Sequence, residues 1–229
     1  MKYIISFFLR FVPRKVLQLF SDKLLKIVAI FYRGSNVYCP IENKGYRKFL
    51  PYGRINPREN ALCPGSLSLE RHRLLWLYLK NETNFFTSKQ KLNVLHFAPE
   101  QEFYKRFKKQ QNINYTTTDL VSPLADVKAD ICNLPFEDNA YDIVLCNHVL
   151  EHIPDDTKAM QELYRVMKKG GMGIFQIPQD INRETTFEDD SITDPKERAK
   201  IFGQYDHVRV YGRDYFDKLR SIGFTVDEV

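Results

Sequence analysis

Acidic and imidazole side chains recur in this chain where a small polar ligand can be gripped. His96-Phe97-Ala98-Pro99-Glu100, Asp119-Leu120, Asp130-Ile131 and Asn147-His148-Val149-Leu150-Glu151-His152 carry the hydrogen-bonding and ionisable groups. A carboxylate about 20 residues beyond the first such turn suits a ribose, because it accepts from both hydroxyls. Asp119 stands at about that distance from His96. One segment later, Asp130 can accept from an adenine amino group while the N–H of Ile131 donates to a ring nitrogen. Alone, Asp119 reads as a helix cap or loop residue. Together with Asp130 it points to a nucleoside ligand.

Such residues act together only if one frame collects them. Apolar periodicity predicts strands over 92–98, 114–120, 127–131, 141–146 and 173–178. Helices are expected over 101–109, 155–169 and about 213–222, with Gly170-Gly171 stopping the second. Ala159, Met160, Leu163, Val166 and Met167 share one face of that second helix. A final strand is expected over 224–229. Strands alternating with helices predict an α/β fold, a doubly wound, mostly parallel sheet. In such sheets ligands bind outside the carboxyl ends of the strands, where the strand order reverses. All four segments named above follow strands. Residues 179–194 are polar and acidic, with Asp180, Glu184, Glu188, Asp189, Asp190 and Asp194 against Arg183, and are expected to form a lid.

The front of the chain differs. Residues 1–90 hold 16 Lys/Arg against 5 Asp/Glu, whereas 91–229 hold 18 against 24. A basic front suggests an anionic partner or simply a solvated face. Residues 1–34 read as a helical segment whose apolar run is too short to span a bilayer, so peripheral membrane contact through 1–32 competes with packing on the sheet. Residues 35–66 look irregular, broken by Pro40, Pro51, Pro57 and Pro64. Residues 67–229, opening on a helix around Leu74 and Leu75, form the ligand-binding domain. With 229 residues, 43% hydrophobic and 28% charged, the chain is globular. Four Cys argue against a disulfide scaffold and for a cytoplasmic, reducing compartment.

Residues 91–178 resemble a class I S-adenosylmethionine-dependent methyltransferase of the branch acting on small molecules and glycolipid- or quinone-like substrates. The resemblance rests on the ordered set Ala129-Asp130-Ile131-Cys132-Asn133-Leu134-Pro135-Phe136, Tyr141-Asp142-Ile143-Val144, Val149-Leu150-Glu151-His152-Ile153-Pro154-Asp155 and the stretch from Leu163 to Gly171. It implies a Rossmann-like sheet, S-adenosylmethionine as cofactor, and methyl transfer to a small-molecule, glycan or lipid-linked acceptor. The implied cofactor contacts are His96, Ala98, Glu100, Asp119, Leu120, Asp130, Ile131 and Asn147. The family's first motif usually has an acidic residue followed by glycines. Here His96 holds the acidic position, and Ala98 and Glu100 the glycine positions. This is similar to a sub-branch with a His-x-Ala-Pro-Glu turn. Glu100 can then accept from the cofactor ammonium, or simply cap the following helix, and Arg71 or Arg73 can pair with the cofactor carboxylate.

An oxygen or nitrogen acceptor needs a proton removed, which points to histidine. His207 and His148 are the candidate catalytic residues, with His152 read as structural. Cys39-Pro40-Ile41-Glu42 and Cys63-Pro64-Gly65-Ser66 resemble a zinc ribbon with half its thiolates replaced, so this module is expected to have lost its metal and no metal site is assigned. A nicotinamide enzyme is disfavoured because no Gly-x-Gly-x-x-Gly follows a strand. No nucleic-acid motif favours nucleic acid. The competing reading is a non-catalytic S-adenosylmethionine-binding regulatory or interaction module.

Overall fold

A computed structural model describes residues 29–53 and 57–228. The chain divides into two compact units, residues 1–86 and 87–229. Most of the expected N-terminal helical segment and the proposed membrane contact lie in residues 1–28, outside the described residues; Ala29–Phe31 are helical.

In the first unit, residues 35–66 are two antiparallel hairpins, not irregular chain. Strand β1 (Arg33–Cys39) pairs with β2 (Lys44–Tyr46), and β3 (Leu50–Tyr52) with β4 (Arg58–Leu62). Helix α1 (Glu70–Asn81) follows. The hairpins escape detection because these short strands are exposed over most of their length, so no apolar alternation marks them.

The second unit carries the expected sheet. Strands β5 (Leu92–Phe97), β6 (Ile113–Asp119), β7 (Val127–Lys128), β8 (Tyr141–Cys146) and β9 (Met167–Ile174) form a parallel sheet in the order β7-β6-β5-β8-β9. The order reverses between β5 and β8, which pair from Val94↔Ile143 to Phe97↔Cys146. Helix α2 (Gln101–Phe107) follows β5, and α3 (Asp156–Val166) follows β8 after a 3-10 turn at Leu150–His152. Two-residue strands β10 (Phe187–Glu188) and β11 (Arg209–Val210) pair antiparallel, with α4 (Pro195–Ile201) between them. Helix α5 (Tyr215–Ile222) is the last element. Leu95, Phe97, Val144 and Cys146 from the strands share one core with Ala159, Met160, Leu163 and Val166 of α3 and with Tyr211, Tyr215 and Leu219.

Two boundaries differ from expectation. Helix α3 ends at Val166, and Met167 already pairs with Tyr141. Gly170, at φ +73, lies inside an irregularity of β9, so the glycines shape a bulge instead of stopping a helix. No strand forms among the described residues of 224–229. Phe224 instead packs edge-on to Tyr164 and Phe175, with ring centroids 5.0 and 5.4 Å away. An apolar residue that caps the core produced the strand-like pattern.

Candidate active site

The turn after β5 is built around a buried histidine. His96 is fully buried, with Nδ1 2.7 Å from the Tyr115 hydroxyl and Nε2 2.6 Å from Glu100 Oε2. Both ring nitrogens are engaged within the protein, so His96 positions Glu100 and does not itself face a ligand. Burial pushes the Tyr115 phenol up, which keeps it a neutral partner. Glu100 occupies the N-cap position of α2, yet its side chain makes no capping bond. Asn147 Nδ2 lies 3.5 Å from Glu100 Oε1. Ala98 sits at φ +44, a left-handed conformation that glycine adopts without cost. The chain has the turn that a glycine would give, built with alanine.

The neighbouring strand ends carry the carboxylates. Asp119 Oδ1 accepts from the N–H groups of Val121 and Ser122 at 2.7 and 2.6 Å. Its Oδ2 has no partner among the described residues. Leu120 beside it is 65% exposed. Asp130 Oδ1 accepts from the Cys132 N–H at 2.9 Å, and Ile131 is buried. Arg71 and Arg73 lie on α1 of the first unit. There Arg73 Nη1 donates to the carbonyls of Ser68 (2.7 Å) and Ala61 (3.0 Å), and the guanidinium lies 4.4 Å over the Phe49 ring. Arg73 is thus committed within its own unit, whereas Arg71 Nε is buried without a hydrogen-bond partner.

Beyond β8 the structure gathers the three candidate histidines. His148 adopts φ +54, with its N–H bonded to the Gln176 carbonyl at 2.7 Å. The rings of His152 and His207 meet edge to face, 4.7 Å between centroids. His207 Nδ1 bonds the Phe202 carbonyl at 3.1 Å, and burial lowers its pKa below the ordinary histidine value. The ring is therefore neutral at pH 7, with Nδ1 protonated and the Nε2 lone pair available.

Sequence reasoning missed what holds this group together. Arg209, nearly fully buried, bonds the carbonyls of Leu150, Ile153 and Pro154 and pairs with Glu188 at 2.9 Å. Tyr211 donates to Asp156 at 2.8 Å, and Lys218 reaches the same carboxylate oxygen at 3.1 Å. This network ties the turn after β8 to the segment bearing His207. The signal was a charge inside the apolar run Val208-Arg209-Val210-Tyr211.

Comparison with known proteins places the second unit. Residues 83–175 match the family described as a methyltransferase domain. An uncharacterised protein of Methanocaldococcus jannaschii is 28% identical over 112 residues, 49% of this chain and 42% of its own length. A demethylmenaquinone methyltransferase of Staphylococcus epidermidis is 46% identical over 46 residues, 20% of this chain and 19% of its own. The chain thus spans less than half the length of these relatives. Among solved structures, the [4+2]-cyclase SpnF aligns with TM-score 0.50 at 15% identity, covering 93% of this chain and 72% of that one. That likeness shows the fold alone. The sheet order is that of the Rossmann-like class I methyltransferase fold, and the matched residues 83–175 span most of that sheet. The cofactor of that class is S-adenosylmethionine.

The residues present fit that cofactor. The buried Asn147 Oδ1 and Thr118 Oγ1 have no hydrogen-bond partner, and Asp119, next to Thr118 on β6, bonds the Val121 and Ser122 N–H groups through Oδ1. Unpaired polar atoms at the carboxyl ends of β6 and β8, on either side of β5, are what a polar ligand satisfies.

Proposed function

We propose that the chain is an S-adenosylmethionine-dependent methyltransferase acting on a small-molecule, glycan or lipid-linked acceptor. The observation that carries this reading is the set of ligand-ready groups at the carboxyl ends of β5, β6 and β8, where the strand order reverses. Asp119 accepts from the ribose hydroxyls through its free oxygen. Asp130 and the Ile131 N–H read the adenine edge, and Leu120 offers its exposed side chain to the purine face. Glu100, held by His96 and Asn147, accepts from the ammonium group, and the positive φ of Ala98 brings the backbone close.

When bound, the cofactor supplies a sulfonium-activated methyl group, so alignment contributes much of the rate. His207 and His148 line the acceptor end. The neutral His207 ring can take a proton from an acceptor hydroxyl or amine. Similarity to a demethylmenaquinone methyltransferase supports a quinone-like acceptor within these classes.

The test is affinity for S-adenosylhomocysteine by calorimetry. Asp119→Asn keeps an oxygen for the Val121 and Ser122 turn but removes the charge. It is expected to lose about 1.5–3 kcal/mol of binding, roughly tenfold to a hundredfold. Unchanged affinity in a folded variant would refute the assignment. Methyl turnover with a panel of acceptors then separates an enzyme from a non-catalytic binder.

A further inference from the structure

Glu151 is out of place by ordinary rules. It is 1% exposed, and both carboxylate oxygens are buried without a hydrogen-bond partner. His148 Nδ1 comes within 3.3 Å of Oε1, but without hydrogen-bond geometry. Buried carboxylates are normally paired, hydrogen-bonded or bound to a cation. Glu151 is held in place nonetheless, because its own carbonyl accepts from the Val208 N–H at 3.0 Å. That bond lies next to His207.

Its neighbours are arranged as ligands. One ligand atom each from Glu151, His152 and His207 lies within 4.8 Å of the other two. A carbonyl can only accept, so the tautomers follow from the geometry. His207 Nδ1 donates to Phe202 O at 3.1 Å, and His152 Nδ1 donates to Asp206 O at 3.3 Å. In both rings the remaining nitrogen, Nε2, carries the lone pair. A backbone carbonyl bonded to one imidazole nitrogen is the usual device that fixes the tautomer and orientation of a metal-ligating histidine.

We propose that Glu151, His152 and His207 form a binding site for a divalent d-block cation of the zinc or manganese type. Two imidazoles and one carboxylate suit such ions, and three protein ligands leave positions open for an oxygen of the acceptor. The cation neutralises Glu151. An acceptor hydroxyl on the ion loses its proton to water or to His148 more readily than a free one. His207 then serves as a ligand, and His148 remains as the proton acceptor. The ion site itself needs no methyl transfer; its use on the acceptor rests on the function proposed above.

The two ideas fail separately in a binding experiment on the full chain. Metal-free protein is titrated with Co2+ and followed by visible absorption. Saturable d–d bands at one ion per chain, without a thiolate charge-transfer band, are expected. Glu151→Gln and His152→Ala should each weaken Co2+ binding at least tenfold. Zn2+ should raise the melting temperature of the wild type but not of Glu151→Gln, which relieves the buried charge and should fold at least as well in chelator. Absent bands, bands of thiolate character only, or wild-type affinity in both variants would overturn the site. S-adenosylhomocysteine affinity, measured in parallel, reports on methyltransferase character independently.

Discussion

At the scale of single residues, the strand-end carboxylates were readable because their chemistry is local. Asp119 ends β6 and Asp130 follows β7 closely, so type and position together suggested the roles proposed for them. His96 was placed at that turn, but its partners inside the protein could not be read. Its burial depends on Phe103 and Phe107 of α2 and on Tyr115 of β6, ring neighbours at 6.4, 6.2 and 5.9 Å that no local pattern reveals. A consequence can be measured. His96→Leu strands the Tyr115 hydroxyl and takes from Glu100 its 2.6 Å partner. Leaving such groups unmatched costs on the order of 1–3 kcal/mol. His96→Leu should lower the melting temperature and weaken S-adenosylhomocysteine binding, and Tyr115→Phe should do so less, because it removes one hydroxyl and leaves Glu100 held. Wild-type affinity in folded His96→Leu would contradict a positioning role. The cluster of Glu151, His152 and His207 was not readable as a cluster. Glu151 and His152 are neighbours in sequence, but His207 comes from a later segment and is brought to them by the Val208–Glu151 backbone bond and the buried Arg209.

At the scale of elements, alternation of strand and helix sufficed for β5 to α3, where each element has an unambiguous apolar face. It failed where one residue can serve two patterns: Met167 suits the end of a helix or the start of a strand, and Phe224 suits a strand or a core cap. The acidic stretch after β9 was expected to be a lid. Within it, β10 pairs with β11, Thr186 bonds the Asp214 carboxylate at 2.7 Å, and the N–H groups of Arg213 and Asp214 donate to the carbonyls of Arg183 and Glu184. Helix α3 also has a role beyond its apolar face. Glu162 accepts from the Leu134 N–H at 2.8 Å and from Arg165 at 2.8 Å through both oxygens, while Arg165 holds the carbonyls of Leu134 and Phe136. This clamps the loop that follows Asp130. The Arg165 guanidinium holds the Glu162 carboxyl below its ordinary value. A depressed carboxyl stabilises the fold above its unfolded pKa of about 4.3, and that contribution disappears as pH falls through the lower folded value. Glu162→Gln should therefore be about 1–3 kcal/mol less stable at pH 7 and lose less stability on acidification. Urea unfolding from pH 7 to pH 3 checks this. Parallel stability profiles for variant and wild type would show that the clamp contributes nothing through its charge.

At the scale of the whole molecule, each of the two units is stabilised within itself by different means. The second has a continuous apolar core between sheet and helices. In the first, the polar loops of two short hairpins converge on a small buried cluster, which explains why apolar periodicity revealed the sheet domain and missed the hairpins. Cys39, Glu42 and Cys63 offer ligand atoms within 4.8 Å of one another, and Ser66 Oγ lies 3.4 Å from Cys39 Sγ. The four positions of the two broken Cys-x-x-Cys knuckles thus come together. Hydrogen bonds connect them: Tyr46 donates to Glu42 at 2.5 Å, and Cys63 lies 3.5 Å from the same oxygen. The hydrogen bond from Cys63 holds the Cys39 thiol below its ordinary range, while Cys63 itself is pushed up. Gly65 is required here. A Cβ at that position would stand 2.2 Å from both Glu42 Oε2 and the Tyr46 hydroxyl. If the loops keep ribbon geometry, two substitutions should complete a four-thiolate zinc site. Glu42→Cys with Ser66→Cys is expected to raise bound zinc by one ion per chain over the wild type, to hold it through dialysis, and to raise the melting temperature. Counting the increment separates this site from any ion held by Glu151 and the histidines, and Cys39→Ser in the same background should abolish it. Zinc content equal to that of the wild type would mean that the hairpin loops do not approach closely enough for tetrahedral coordination, and that the matching Cys spacing reflects packing of two small buried thiols alone.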